Sequence, residues 1–368
     1  MHAALFIDPE RLKRERDWFN RTVVGLVSAG VQITRILPEN EPDDERVSLA
    51  PAIWYEDSGV PWTARQRHAD LAGELSDTKA PDVIHAMGRG IWADALDLAQ
   101  RIERPVVIDV WTADECSDAV RFARKPEVGG VLAAGDRVAA ALQELGISRE
   151  LIQVVPIGVY VKEPGETRKS HPSADGKPAD AMRGIVGIIA ASGARFDAIA
   201  PLLNAFAAIS QRFPNFMLFG DFRERDGDKV WRHLKSLDLL DHLSLIPCVQ
   251  EHRELVLQSD LLLLPAPLNA NSSFLLQAMA APLTTLAVRD PYVDILQQNP
   301  CALLLDETAD ESDWQAALES VLCDVSQAAV FCNEARAWIS KRNGVSRQVE
   351  ILADTYDRII TGGAHSIT

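Results

Sequence analysis

The chain has 368 residues, of which 47% are hydrophobic and 24% charged, and its formal net charge is −16. This length and composition indicate a globular protein of about two domains. The acidic balance argues against nucleic acid or a broad anionic membrane surface as a partner, because both bind basic surfaces.

Short apolar strands and helical segments alternate along the first 160 residues. Residues 2–8 predict a buried strand, residues 18–30 a helix that ends at Gly30, and residues 31–38 a second strand. Residues 39–65 are polar and contain prolines, which predicts a loop-rich stretch. Further strands are predicted at 81–88, 104–112, 129–135 and 151–159. This β–α–β order predicts a parallel sheet.

Residues 162–184 interrupt the alternation. They are rich in Pro, Gly, Ser and charge and have no apolar periodicity, which predicts an interdomain linker. The alternation then restarts and ends in a long helical segment. We therefore predict an α/β protein with two Rossmann-like domains, residues 1–161 and 185–335, followed by a terminal helix at 336–361.

The cysteines predict free thiols in a reducing cytoplasm, because they are odd in number, irregularly spaced and without a C-x-x-C pair. They are Cys116, Cys248, Cys301, Cys323 and Cys332. No apolar run approaches the roughly 20 residues that a membrane-spanning helix needs. We therefore expect a cytoplasmic protein without a transmembrane segment.

Most of the chain from about residue 81 onward resembles family 4 of the nucleotide-sugar glycosyltransferases. The similar segments, in the family's order, are VLAAGDRVAAALQELGISRELIQVVPIGV, FPNFMLFGD, SDLLLLPAP, the helix containing LLQAMA, and ARAWISKRNGVSRQVEILADTYDRI. The resemblance implies the GT-B fold, in which two Rossmann-like domains face each other across a cleft. It places the acceptor on the N-terminal domain and the nucleotide sugar on the C-terminal domain. It also implies that the last helix crosses back to the N-terminal domain.

The family holds its donor with an Arg and a Lys after the first strand of the second domain, and with two glutamates spaced by eight residues. Alignment on the following helix puts Ser192 and Asp197 at the cation positions, and alignment on QAMA puts Asn269 and Gln277 at the glutamate positions. Amides can still accept and donate hydrogen bonds, so Gln277 can hold a ribose. Alternatively, both amides only complete a loop and a helix end.

Other donor-side candidates lie beside these positions. Gly193 and Arg195 are in the loop SGARFD, where Arg195 is either a phosphate ligand or a solvated arginine. Ser272 or Ser273 predicts an N-cap, and the helix start that includes Phe274 is either an anion site or an ordinary capped helix.

The acceptor-side candidates are His85 and Trp111. Trp111 stands at the position of the family's histidine; an indole cannot titrate, so Trp111 either stacks on a sugar or packs at the sheet edge. His85 ends a strand before Gly-Arg-Gly and is either a ligand residue or a structural histidine. The loop after the first strand, DPERLKRERD, lacks the family's glycines.

An acidic group after the strand at 104–112 predicts a solvated loop, since its spacing fits no metal site. Its members are Asp109, Asp114, Glu115 and Asp118. We expect neither a metal nor a cofactor.

Two functions remain open. The first is a retaining, metal-independent glycosyltransferase of glycan biosynthesis, with weak or lost activity, that moves a hexosyl group from a nucleotide diphosphate sugar to a glycan or lipid acceptor. The second is a non-catalytic relative that binds a glycan, a nucleotide or a partner protein.

Overall fold

The computed structural model describes residues 1–39, 49–56, 61–161, 184–191, 193–222, 226–246, 249, 253–256, 258–281 and 283–363. The chain divides into two compact units. Unit 1 comprises Met1–Val159, Ala270–Ser273 and Asn343–Thr368, and unit 2 comprises Tyr160–Asn269 and Phe274–Arg342. The predicted linker at 162–184 lies outside the described residues except for Gly184.

Unit 1 is built on a seven-stranded parallel sheet with the order β3-β2-β1-β4-β5-β6-β7. Its strands are β1 (His2–Ile7), β2 (Gln32–Pro38), β3 (Ala52–Tyr55), β4 (Val83–Met87), β5 (Val106–Val110), β6 (Val128–Ala133) and β7 (Ile152–Val154). Its helices are α1 (Pro9–Ser28), α2 (Pro61–Lys79), α3 (Trp92–Ile102), α4 (Ala113–Phe122), α5 (Asp136–Glu144) and α12 (Val345–Gly363). The central strands β1, β4 and β5 are buried at every position, as expected for parallel strands that helices cover on both faces.

Helix α1 starts directly after β1. Asp8 caps it by accepting a hydrogen bond from the backbone N of Arg11, and Pro9 occupies its first position, where proline needs no hydrogen bond. The charged stretch that precedes the helix predicted at 18–30 is therefore the first half of α1. The helix is kinked at Glu15, whose φ and ψ of −122° and 23° are not helical.

Unit 2 is built on a six-stranded parallel sheet with the order β10-β9-β8-β11-β12-β13. Its strands are β8 (Ile185–Ala190), β9 (Phe216–Asp221), β10 (Leu243–Leu245), β11 (Leu261–Leu264), β12 (Thr284–Val288) and β13 (Leu303–Leu305). Its helices are α6 (Phe196–Arg212), α7 (Gly227–Ser236), α8 (Arg253–Val256), α9 (Ser273–Ala280, whose first residue belongs to unit 1), α10 (Glu311–Cys323) and α11 (Val325–Arg342). Phe206 and Phe216 pack edge to face in its core, with ring centroids 5.0 Å apart.

The predicted fold class, an α/β protein with two Rossmann-like domains, is confirmed by these two sheets. One local prediction was incomplete and one was wrong. The stretch at 39–65, of which 40–48 and 57–60 lie outside the described residues, contains β3. The terminal helix is interrupted at Asn343–Gly344, so that α11 belongs to unit 2 and α12 to unit 1. Helix α12 packs against α1, β4 and β6.

The strand order shows where a ligand is expected. In both sheets the order reverses beside the first strand, between β1 and β4 in unit 1 and between β8 and β11 in unit 2. Open α/β sheets bind ligands beyond the carboxyl ends of their strands at such a reversal.

Candidate functional site

The reversal point of unit 1 is occupied by the side chain of Asp8. Gly88, the first residue after β4, has a φ of +99°, and a Cβ there would lie 2.6 Å from the Cβ of Asp8. The Asp8 carboxylate also lies against Gly90. The glycines of Gly-Arg-Gly therefore make room for a carboxylate of this chain.

A buried ionic cluster lies beside Asp8; we call Arg11, Glu15, Asp109, Trp111 and Glu115 the Arg11 cluster. The Arg11 guanidinium lies 2.8 Å from Glu115 Oε1 and 3.5 Å from Asp109 Oδ2. All five residues are buried. The prediction of a solvated acidic loop holds for Asp114, which is exposed, and for Asp118, which pairs with Arg89. It was wrong for Asp109 and Glu115, which are buried in the core.

Local hydrogen bonds hold the two buried carboxylates of β5 and α4 in place. Asp109 Oδ1 accepts from the backbone N of Gly88 at 2.7 Å. Glu115 Oε2 accepts from the backbone N of Trp111 and of Thr112, and Thr112 completes a capping box at the start of α4. Each carboxylate thus meets backbone N–H groups at a strand or helix end.

The charges of the cluster shift one another's pKa. Burial, reinforced by the charge of Glu115, raises the pKa of Asp109 to about 7, although Arg11 and the Gly88 N–H oppose this. Burial by itself lowers the pKa of Arg11, but Glu115, Asp109 and Glu15 outweigh it and raise the pKa above its ordinary value. The arginine therefore stays charged and faces three acidic side chains.

Trp111 is enclosed by its own chain. The Arg11 guanidinium stacks on its ring at 4.1 Å from the centroid, and Trp18 packs against it edge to face at 4.6 Å. Only 4% of the residue is exposed. Of the two predicted roles, this geometry matches the packed aromatic at a sheet edge, and the acceptor-side role of Trp111 stays a prediction.

His85 is also a core residue. Its Nδ1 lies 2.6 Å from the hydroxyl of Tyr356 on α12, and its Nε2 is buried without a hydrogen-bond partner among the described residues. Burial, with the positive charge of Arg11, lowers the pKa of His85 to about 3, so the imidazole is neutral at pH 7. Of the two predicted roles, this environment matches the structural histidine, and the acceptor-side role of His85 stays a prediction.

The short segment 270–273 belongs to unit 1 and lies against the Arg11 cluster. Ala270 forms an isolated antiparallel bridge with Thr112, and Asn271 donates to the carbonyl of Trp111 through its backbone N (2.9 Å) and its Nδ2 (3.3 Å). At its end, Ser273 donates to Glu15 through its backbone N (3.1 Å) and through a very short bond from Oγ. The first residue of α9 is therefore bound by a carboxylate from α1.

The neighbouring donor-side candidates occupy different environments. Ser272 is half-buried and directly precedes α9, which is the N-cap position, while Phe274 is buried in the core. Gln277 is half-buried within α9. Ser272 therefore stands at the predicted N-cap position, and the carboxylate at the helix start is contributed by Glu15.

Asn269 has a backbone role in unit 2. Its φ is +51°, a left-handed conformation that asparagine tolerates better than most residues. Its backbone N donates to Asp290 Oδ2 at 2.7 Å, and its side chain is exposed. Asp290 is fully buried, and burial raises its pKa against the opposing hydrogen bonds from Tyr292 and Asn269.

The loop after β8 carries Gly193 and Arg195. Gly193 has a φ of +75°, which explains the glycine. The Arg195 guanidinium is 68% exposed and lies 2.8 Å from the carboxylate of Asp197. Phe196, the first residue of α6, donates its backbone N to Asp226 Oδ2 at 3.1 Å. Ser192 lies outside the described residues.

The sequence missed the residues that matter most at these strand and helix ends, namely Arg11, Glu15, Asp226 and Asp290. The start of α1 could have been found from Asp8-Pro9, a regular helix-start signal. The others bind backbone groups between 21 and 258 positions away, for which a single sequence gives no signal.

The described residues contain neither a candidate metal site nor a candidate membrane span. No group of three or more His, Cys, Asp or Glu side chains is arranged to hold a metal ion. None of the described helices combines the length and apolarity needed to cross a bilayer.

The chain is similar over nearly its whole length to solved glycosyltransferase structures. A glycosyltransferase from Rickettsia africae has 12% identity and a TM-score of 0.69, covering 98% of each chain. HepE from Anabaena, in complex with UDP and glucose, has 15% identity and a TM-score of 0.69, covering 96% of this chain and 99% of its own. Sucrose-phosphate synthase from Thermosynechococcus elongatus has 14% identity and a TM-score of 0.70, covering 98% and 100%.

Identities this low establish the fold alone. No protein-family model matches the chain, and no curated protein matches it by sequence. The chain therefore has the GT-B glycosyltransferase fold of two parallel-sheet α/β domains.

Proposed function

We propose that this chain is a relative of the nucleotide-sugar glycosyltransferases that binds a ligand but does not transfer a sugar. One observation carries the proposal: carboxylates of the chain itself bind backbone N–H groups at strand and helix ends. Asp226 binds the N of Phe196, Asp290 binds the N of Asn269, and Glu15 binds the N of Ser273.

Sugar transfer from a nucleotide diphosphate requires the opposite electrostatics. The departing diphosphate gains negative charge, and without a metal it must be stabilised by cations and free N–H groups. Two like charges 4 Å apart repel by about 4 kcal/mol at an effective dielectric of 20, which corresponds to roughly a thousandfold in affinity. A diphosphate placed against any one of these carboxylates meets repulsion where it needs attraction.

The positions at which the resemblance expects an Arg and a Lys also argue against sugar transfer. Asp197 stands where the resemblance expects a lysine, and Arg195 is exposed and paired with that aspartate. An exposed ion pair contributes about 1 kcal/mol or less, so Arg195 can exchange partners, but a solvated arginine provides far less stabilisation than a buried phosphate clamp.

Acid–base chemistry on the N-terminal side is also disfavoured. Trp111 has no titratable group and is covered by Arg11 and Trp18. His85 is buried with a pKa of about 3, far from the neutral range in which a general base works best.

A ligand without a diphosphate avoids this repulsion, so we favour a neutral glycan or a partner protein as the occupant. The fold likeness to HepE, whose structure contains glucose, is consistent with a saccharide. The negative net charge of −16 favours a neutral or basic partner.

The second candidate is weak, retaining, metal-independent glycosyl transfer to a glycan or lipid acceptor, with a nucleotide sugar as the donor and no cofactor. The likeness to HepE, which was solved with UDP, supports it. Under this candidate Arg195 leaves Asp197 to hold a phosphate.

Thermal shifts and donor hydrolysis separate the two candidates. A donor present at 100 times its Kd stabilises its protein by about 2.7 kcal/mol. We expect no shift and no released sugar with millimolar UDP-, GDP- or ADP-glucose. A shift accompanied by hydrolysis that is lost in Arg195→Ala but kept in Arg212→Ala, a change of another exposed, ion-paired arginine, would establish the second candidate instead.

A further inference from the structure

Unit 1 has a large groove at the amino ends of its strands, the end of the sheet opposite the Arg11 cluster. The groove has a volume of about 920 Å³, within the roughly 300–1,000 Å³ that small-molecule sites occupy. Residues that directly precede β4, β5, β6 and β7 line it, together with the end of α12. The groove is therefore large enough for a small ligand and lies away from the candidate site.

Helix α12 forms an apolar wall of this groove. Gly129 in β6 permits the close packing of the helix, because a Cβ there would lie 2.6 Å from Cγ2 of Ile359. Pro105, Ile359 and Ile360 are half-buried at the groove and contribute apolar surface. A ligand with an apolar segment gains free energy by covering this wall.

The polar lining of the groove is mostly acidic. Four carboxylates and two guanidinium groups line it. They belong to Asp82, Glu103, Glu127, Glu150, Arg104 and Arg358. Within the part of the chain that the structure describes, none of the four carboxylates forms an ion pair. Arg358 donates instead to neutral groups, Oε1 of Gln153 at 2.9 Å and Oγ1 of Thr355 at 3.4 Å. The unpaired carboxylates favour a cationic ligand.

Glu127 is only partly satisfied by its own chain. Its Oε1 accepts a hydrogen bond from Nε2 of Gln100 at 2.9 Å, while its Oε2 is buried without a partner among the described residues. A buried oxygen that lacks a donor is unfavourable, and an external donor would remove that cost. Because Gln100 is exposed, its side chain can turn away and leave both oxygens to a ligand. An ammonium group offers three donors and a positive charge.

We propose that this groove binds an aliphatic polyamine, with one ammonium group on Glu127, others on the neighbouring carboxylates, and methylene segments on the wall of α12. A polyamine alternates cationic groups with short apolar segments, so it matches both features of the lining. A neutral saccharide would leave the carboxylates unpaired, and an anion would meet like charges. The site goes beyond the proposed function and does not depend on it.

Calorimetric titration with spermidine tests the site in the wild-type chain, in Glu127→Gln and in the control Glu10→Gln. Both substitutions remove one negative charge, but Glu10 is exposed in the first turn of α1 and does not line the groove. We expect the wild type and Glu10→Gln to bind spermidine with the same Kd, and Glu127→Gln to bind it at least tenfold more weakly.

A second pair of variants leaves the buried carboxylate intact. Glu150→Lys places a positive charge at an exposed position of the groove and should also weaken binding at least tenfold. Its control, Glu144→Lys, makes the same change at an exposed position of α5 outside the groove and should bind like the wild type. If Glu127→Gln does not fold, this pair decides the question.

Three results would overturn the proposal. Equal binding by the wild type and every variant would show general attraction of a cation to a chain of net charge −16. Absence of binding by the wild type at millimolar spermidine would show that the groove does not take a polyamine. Binding of pentalysine without binding of spermidine would assign the groove to a basic protein segment.

Discussion

Replacing Arg11 with methionine should strongly destabilise unit 1. The substitution removes the guanidinium that faces Asp109, Glu115 and Glu15, and leaves their buried charges uncompensated. Breaking a buried ion pair on one side costs about 3–5 kcal/mol, and loss of the stacking on Trp111 adds about 1 kcal/mol. At roughly 2–4 °C per kcal/mol for a domain of this size, Tm should fall by about 10 °C or more.

Urea titration followed by tryptophan fluorescence measures this cost, because Trp18 and Trp111 both lie in or against the cluster. The control Arg14→Met changes an exposed arginine of the same helix and should stay within about 0.5 kcal/mol of the wild type. Adding Asp109→Asn and Glu115→Gln to Arg11→Met should restore much of the lost stability. A loss below about 1 kcal/mol for Arg11→Met would refute the view that the cluster is a compensated set of buried charges.

Three further predictions concern single residues. Burial raises the pKa of Asp109 to about 7 from an ordinary value of 3.8, so the stability that Asp109 contributes is complete below about pH 4 and is lost as the pH rises to about 7. In urea titrations, the free energy of unfolding of Asp109→Asn should therefore depend less on pH between about 4 and 7 than that of the wild type. An unchanged pH dependence would contradict this prediction. Hydrogen bonding to Asp94, against the opposing effect of burial, raises the pKa of His68, so the protection factors of α2 amides, taken against the intrinsic exchange rate at each pH, should be higher at pH 6 than at pH 8, and this difference should vanish in His68→Gln. Asn269 has a φ of +51°, so in thermal melts Asn269→Gly should change the free energy of unfolding by no more than about 0.5 kcal/mol, and Asn269→Val should lower it by about 1–2 kcal/mol. Equal effects of the two substitutions would show that the left-handed backbone is not what selects asparagine.

The regular elements could be predicted from the sequence wherever apolar runs and helix signals are local. The alternation of strands and helices gave both parallel sheets, since a β–α–β order leaves few other topologies. It missed β3, a four-residue edge strand whose Trp54 is exposed, because so short a strand carries little periodicity. The break at Asn343–Gly344 was missed as well, although Gly344 marked it.

The candidate site was harder to predict because its contacts join distant parts of the chain. The sequence located Asn269 and Ser273 beside the predicted helix, but their carboxylate partners cannot be inferred without coordinates. Asp109 and Glu115 were predicted as solvated because the spacing of the acidic group fits no metal site, and the partner that buries them, Arg11, lies about 100 positions earlier. Burial of a charge is decided by tertiary contacts, which a local pattern does not contain.

The most direct test of the central claim is an isothermal titration of the wild-type chain with UDP. Our account predicts no measurable binding up to millimolar UDP, because Asp226 and Asp290 occupy backbone N–H groups of unit 2 that a diphosphate would need. Binding with a Kd in the micromolar range, lost on Arg195→Ala, would contradict it and show that this chain holds a nucleotide diphosphate despite those carboxylates.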